Sequence, residues 1–337
     1  MKLNLKKSLL LVIIILGVLV TQIKFKYKEY NLPNNIRVLH ADDNNLYVQK
    51  KEDNNIYIYD LDKGNLNKYK KPIYGEKIIN MVFSDDWIVW IEESNLEYKI
   101  LYENIDTGNI SEINNMTPSY IPTISIDNDY LVYSRLNESN FELVLLNLMD
   151  KDLVILETLN SESNEKISIP SISENLIVWS KSNGNYSNLS SNIYMYDKSK
   201  DSKILLSENN SIIKPQIKNN IIIATNIKDN SDFTESYLTK YDLKNSKWNE
   251  FISNKSKVYN DVKNLSVDDP LIGENYISWW DNYSNKLILY DIKKEKTITL
   301  KKEKPNEIKQ IYFLKDNIIV YRIENDNGSE HKCIKIK

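Results

Sequence analysis

Seven times along the chain an Asp or Asn is followed by two or three strand-forming residues, most often closed by an aromatic. The phrase reads Asn45-Leu46-Tyr47-Val48, Asp86-Trp87-Ile88-Val89-Trp90, Asp129-Tyr130-Leu131-Val132-Tyr133, Asn175-Leu176-Ile177-Val178-Trp179, Asn220-Ile221-Ile222-Ile223, Asn275-Tyr276-Ile277-Ser278-Trp279 and Asn317-Ile318-Ile319-Val320-Tyr321. Its anchors recur at intervals of roughly 41 to 55 residues, the period of a four-stranded propeller blade. A polar turn and an apolar segment precede each anchor, which predicts innermost strands at residues 36–41, 78–83, 121–126, 167–172, 212–217, 269–272 and 310–314. Asn and Asp tolerate the positive φ that tight hairpins demand, so these turns, Asp85-Asp86 included, are predicted to be hairpin chemistry rather than metal ligands.

A second phrase closes the third strand of four repeats, as Ile56-Tyr57-Ile58-Tyr59-Asp60, Ile193-Tyr194-Met195-Tyr196-Asp197, Leu238-Thr239-Lys240-Tyr241-Asp242 and Leu287-Ile288-Leu289-Tyr290-Asp291. Aromatic and β-branched residues of this kind suit strands buried on both faces between neighbouring blades. The expected fold is therefore an all-β, seven-bladed β-propeller of four-stranded antiparallel blades, filling residues 24–337 as one unit. The last repeat runs out of chain after its third strand. Lys24-Phe25-Lys26-Tyr27-Lys28 alternates polar and aromatic with the strand period and has no blade of its own, so residues 24–30 are predicted to join the last blade and close the ring.

Ahead of that strand, Lys2, Lys6 and Lys7 precede an apolar run from Leu9 to Val20 that extends to Ile23. Residues 8–23 would make a helix of ~24 Å against a hydrocarbon core of ~30 Å. The run is poor in the small residues that a cleavage site needs. Residues 1–23 are read as an N-terminal hydrophobic helix, an uncleaved signal anchor in the cytoplasmic membrane with the C-terminal domain outside. A cleaved signal peptide and a secreted propeller is the alternative. The only cysteine, Cys333, is too far along for a lipoprotein.

The anchor phrase and the Ile-Tyr-x-Tyr-Asp phrase together resemble the repeats of bacterial TolB-like β-propellers over roughly residues 36–337. That resemblance implies a propeller of the cell envelope. The Ser-Pro-Asp-Gly turn common in that superfamily is absent here, and seven repeats stand where the namesake has six.

Charge and composition narrow the function. The chain has 337 residues with 44 basic and 47 acidic side chains interspersed, for a net charge of −3, so no nucleic-acid footprint is visible. Two histidines, His40 and His331, and one cysteine cannot build a Cys/His zinc cage. A Ser-His-Asp triad would have to use one of those two histidines, and no G-x-S-x-G elbow occurs. Seven glycines form neither G-x-G-x-x-G nor a P-loop. No cofactor and no metal are expected. The acids Asp268 and Asp269, ahead of Pro270, are the one adjacent pair not already explained by hairpin chemistry.

The longest repeat owes its length to the connection 253–268, and blades four and five carry extended loops at 183–191 and 228–236. All three are predicted to lie on one face of the ring in adjacent blades. Tyr186, Asp229, Asp232, Phe233, Tyr259, Asp268, Asp269, Trp280 and Tyr283 would border a binding site there, unless the insertions are only tolerated loop drift in an Asn-rich chain. The reading is a non-catalytic binding or scaffold module for an envelope protein or a cell-wall glycan. The alternative is an enzyme acting on polysaccharide through carboxylates near Asp268 and Asp269.

Overall fold

A computed structural model of the chain describes residues 26–337 apart from 43, 51, 75–76, 114–116, 118, 184–188, 228–235, 253–265, 303–307, 316 and 326–327. The hydrophobic segment read as an anchor lies outside the described residues, and among those described no helix is long and apolar enough to cross a membrane. Seven antiparallel sheets form a propeller. β1 (Tyr27–Asn31) is set aside for the ring closure. Blade 1 is β2 (Ile36–Asp42), β3 (Asn45–Lys50), β4 (Ile56–Asp60) and β5 (Leu66–Lys70); blade 2 is β6 (Lys77–Phe83), β7 (Trp87–Ser94), β8 (Glu97–Asn104) and β9 (Ile110–Glu112). Blade 3 is β10 (Ile124–Asp127), β11 (Tyr130–Asn137), β12 (Asn140–Asn147) and β13 (Leu153–Asn160). Blade 4 is β14 (Lys166–Ile167), β15 (Ser171–Ser173), β16 (Leu176–Asn183), β17 (Ser190–Asp197) and β18 (Ser202–Asn210). Blade 5 is β19 (Ile212–Lys218), β20 (Ile221–Ile227), β21 (Ser236–Asp242) and β22 (Lys247–Ile252); blade 6 is β23 (Val267–Ile272), β24 (Tyr276–Asp281), β25 (Lys286–Asp291) and β26 (Lys296–Lys302). Blade 7 is β27 (Ile308–Lys315), β28 (Ile318–Asn325) and β29 (Gly328–Ile336), completed by β1.

The core is a set of slabs between blades. Alternate residues of a second strand feed two different slabs: Trp87, Val89 and Ile91 pack toward blade 3, whereas Ile88 and Trp90 pack toward blade 1. With both faces covered, the strand reads as a continuous apolar run, which is why the anchor phrase is so legible. The same construction recurs at every junction, including that of blades 7 and 1, where Ile318, Val320 and Cys333 meet Ile36, Val38 and Leu46.

The recurrent Asp or Asn that closes the third strand has a mechanical role. Its side-chain oxygen accepts backbone N–H groups two or three residues on, forming an Asx-turn into the fourth strand. Asp60 accepts from Asp62 and Lys63, Asn104 from Thr107, Asn147 from Met149, Asp197 from Ser199, Asp242 from Lys244 and Asp291 from Lys294, at 2.9 to 3.0 Å. The next residue donates its N–H to the carbonyl at or beside the anchor of the same blade, as Ile105 does to Asp86, Leu148 to Asp129 and Ile292 to Asn275. One end of the ring, termed here the turn face, is thus stitched by a repeated pair of contacts.

The innermost strands are less regular than the sequence suggests. Residues 167–172 break into β14 and β15, and the strand expected from residue 121 starts at Ile124. Register shifts fall between Ile213 and Gln216 and between Asp268 and Leu271. Pro122, Pro170, Pro215 and Pro270 stand at these interruptions. Proline lacks the N–H a ladder needs and is tolerated on an edge strand, which the innermost strand of each blade is.

β1 pairs with β29 in the register Tyr27↔Ile336 to Asn31↔Lys332. It also grips blade 6. The Tyr27 hydroxyl donates to the Leu300 carbonyl at 2.6 Å, and Glu29 accepts from Lys301 Nζ at 2.6 and 2.7 Å and from the Tyr321 hydroxyl at 3.0 Å. The closing strand is consequently bonded to two blades.

Candidate functional site

At the turn face the axis of the ring opens into a cavity of 390 Å³ built from one to three residues of each contributing blade. The last apolar positions of the inner strands form its deeper wall: His40, Phe83, Ile126, Ile272 and Leu314. The turns that follow supply Ser84, Asp85, Asp127, Asn128, Lys218, Glu274 and Lys315. An apolar base under a charged mouth follows from the repeat itself, because each strand ends apolar and each hairpin turn is polar. Gly273 belongs to the wall, and a Cβ there would stand 3.4 Å from Leu314 Cγ.

Several of these side chains are committed to the ring. Asp127 Oδ2 accepts the Glu174 N–H at 2.7 Å, tying blade 3 to blade 4, and Lys315 pairs with Asp42 at 3.4 Å across the junction of blades 7 and 1. Gln216 Oε1 accepts the Ile272 N–H at 3.2 Å between blades 5 and 6. His40 is 5% exposed and stacks on Phe83 with ring centroids 4.3 Å apart. Burial, reinforced by the Lys315 charge, holds its pKa well below the usual histidine value, so the ring is neutral at physiological pH and acts as part of the wall.

Others are uncommitted. The side chains of Asp85, Lys218 and Glu274 make no hydrogen bond or ion pair with another described residue, and the buried Ser84 hydroxyl has no partner among them. The cavity therefore offers two carboxylates and one ammonium around an apolar base. That is a recognition surface for a polar or charged group. Among the described residues no three His, Cys, Asp or Glu side chains converge as a metal site.

Of the residues expected to border a site, Asp268, Asp269, Trp280 and Tyr283 are described, and none of these four lines the axial cavity. Tyr186, Asp229, Asp232, Phe233 and Tyr259 lie outside the described residues. Asp268 and Asp269 belong to β23 at the opposite end from Ile272, and Asp268 pairs in register with Trp280. Tyr283 is exposed, at 56%. Trp280, expected on the rim, is 1% exposed and stacks on Tyr321 between blades 6 and 7. Its place in β24, whose two faces are both covered, makes it core like its neighbour Trp279. The axial cavity escaped sequence reading because its residues are scattered one blade apart and each is explained locally as a turn.

No known protein-family profile matches the chain. No curated protein matches it either. Solved structures do. One of two prolyl endopeptidases matches with a TM-score of 0.64 at 10% identity, over 90% of this chain and 50% of that one. The β-propeller domain of the Trilobed protease from Pyrococcus furiosus, described as having an open velcro topology, matches with a TM-score of 0.62 at 13% identity, over 89% of this chain and 94% of that one. TolB from Acinetobacter baumannii matches with a TM-score of 0.45 at 12% identity, over 92% of this chain and 80% of that one. At such identities the likeness is one of fold alone: the chain is a β-propeller, similar at that level to the Pyrococcus propeller domain. It spans about half the length of the prolyl endopeptidase. Where the Pyrococcus domain is described as open, β1 closes this ring.

Proposed function

We propose that the chain is a membrane-tethered, extracytoplasmic β-propeller that binds an envelope protein or a cell-wall glycan and performs no chemistry. The observation that carries this reading is the axial cavity, where Ser84, Asp85, Lys218 and Glu274 have polar atoms uncommitted within the ring. A binding protein needs such groups held on a rigid frame, and the lateral bonds through Asp127, Gln216 and Lys315 provide the frame. The chain spans about half the length of the prolyl endopeptidase of similar fold, so that protein's activity is not carried over. The tether rests on the apolar run from Leu9 to Val20.

The test is affinity capture with purified envelope fractions, comparing the full chain with a Ser84→Val, Asp85→Asn, Lys218→Met triple variant. The expected result is a protein or glycan held by the wild type and released by the variant at unchanged melting temperature. Equal capture by both would remove the axial cavity as the site.

A further inference from the structure

The turn face is electrically divided. Among the described residues, the first and third turns of blades 1 to 3 (42–45, 60–65, 84–86, 104–109, 127–129 and 147–152) hold ten carboxylates and two lysines. The matching turns of blades 5 to 7 (218–220, 242–247, 273–275, 291–296 and 315–317), with the strand ends 26–27 and 336–337, hold nine lysines and four carboxylates. Blade 4 is close to balance. Only some of the lysines are neutralised locally, as Lys294 is by Asp291 at 2.9 Å and Lys315 by Asp42. Lys244, Lys247, Lys293 and Lys296 are exposed on the third turns of the neighbouring blades 5 and 6 and make no ion pair among the described residues.

The path of the chain adds a second, independent observation. Lys26 lies at this same face, since its carbonyl accepts the Lys337 N–H and Tyr27 pairs with Ile336. β1 then runs away from the face. The apolar run ends at Ile23, and three residues span at most ~10 Å. On the proposed tether, on which this inference rests, the chain reaches the propeller through its basic sector.

We propose that the basic sector of the turn face, blades 5 to 7, docks on an anionic phospholipid surface. The acidic sector of blades 1 to 3 is repelled by the same surface, so the ring leans on its basic edge and the mouth of the axial cavity stays open on the acidic side. Leu243, exposed beside Lys244, stands where an apolar side chain can enter the headgroup layer. A lysine beside an anionic membrane raises partitioning about fivefold, and the effect fades within a Debye length of about 8 Å at physiological salt.

The experiment uses the full chain with vesicles of phosphatidylcholine alone and vesicles containing about 30 mol% phosphatidylglycerol, a composition that gives the negative surface invoked here. An environment-sensitive label is placed by Lys293→Cys in the basic sector or by Asp106→Cys in the acidic one. The native Cys333 is buried and its thiol is pushed up to about 12 by burial, so labelling is selective. Lipid-borne quencher is expected to reach the Lys293→Cys label more strongly in phosphatidylglycerol than in phosphatidylcholine vesicles, to spare the Asp106→Cys label, and to lose the excess in high salt. Neutralising Lys244, Lys247 and Lys296 to Gln is expected to weaken that contact by about 100-fold, and the salt titration of the unaltered chain carries the same test should the triple variant misfold. Flotation with phosphatidylcholine vesicles reports the tether separately, whichever way the labels behave. Equal quenching of both labels, or none with phosphatidylglycerol, overturns the proposal. So does a crosslink from Lys293→Cys of one chain to Asp106→Cys of another, which would assign the divided face to a second copy.

Discussion

Removing the carboxylate of Glu29 should loosen the ring at its seam. Glu29 lies on β1 and accepts two short hydrogen bonds from Lys301 on blade 6 and one from the buried Tyr321 hydroxyl on blade 7. A charged hydrogen bond contributes about 1.5–3 kcal/mol, and with both Glu29 and Lys301 about a quarter exposed, screening reduces the Lys301 share to about 1 kcal/mol. Losing the bond from the Tyr321 hydroxyl to the carboxylate adds about 1–2 kcal/mol. Glu29→Ala should therefore cost about 2–3 kcal/mol, or about 5 °C in melting temperature for a domain of this size. Thermal and urea unfolding of wild type, Glu29→Ala, Tyr321→Phe and the double variant make the assay, since the two losses should be less than additive. The loss is also pH-dependent. Burial pushes the Glu29 carboxyl up, but the bonds from Lys301 and Tyr321 and the Lys301 and Lys332 charges outweigh it and hold the pKa below 4.5. A lowered folded pKa stabilises above the unfolded value and is lost as pH falls through the folded one, so wild type and Glu29→Ala should converge in acid. Additive losses and a gap independent of pH would refute the seam.

Three further outcomes follow from the same geometry. Arg135 and Glu142 form a buried pair at 2.7 Å; Glu142→Ala should cost about 3–5 kcal/mol by urea unfolding, and the paired Arg135→Met, Glu142→Leu change distinctly less. Asp291→Ala should cost about 1 kcal/mol by removing the Asx-turn; burial raises the Asp291 carboxyl but the Lys294 contacts win and lower it, so this difference too should shrink in acid. The Cys333 thiol faces the slab between blades 7 and 1 and should resist maleimide at pH 8 in the native protein, reacting at the rate at which the closing blade opens; immediate labelling would contradict a closed ring.

How much of this was legible depends on how locally each feature is caused. The second strands announce themselves because Trp87 to Ile91, buried on both faces, must be apolar without a break. β1 was legible as aromatic alternation with no blade of its own, although β1 begins at Tyr27. The interrupted inner strands were not anticipated, since Pro122, Pro170, Pro215 and Pro270 were read through as strand; an edge strand accepts proline only by giving up part of its ladder. Trp280 was expected to border a site beside the long loops, but both faces of β24 are covered and it packs in the core. The axial cavity arises from closure: Ser84, Lys218 and Glu274 are far apart in the chain and meet only because the ring brings their turns to one axis.

The central claim is that the propeller is a binding module working through that cavity. Its most direct test is crosslinking and affinity capture of the full-length, C-terminally tagged chain from native membranes, with mass spectrometry for proteins and sugar analysis for glycans, run beside the Ser84→Val, Asp85→Asn, Lys218→Met variant. The account expects one stoichiometric protein or glycan on the wild type and its loss from the variant. A partner retained by the variant, or no stoichiometric partner on either, would contradict it.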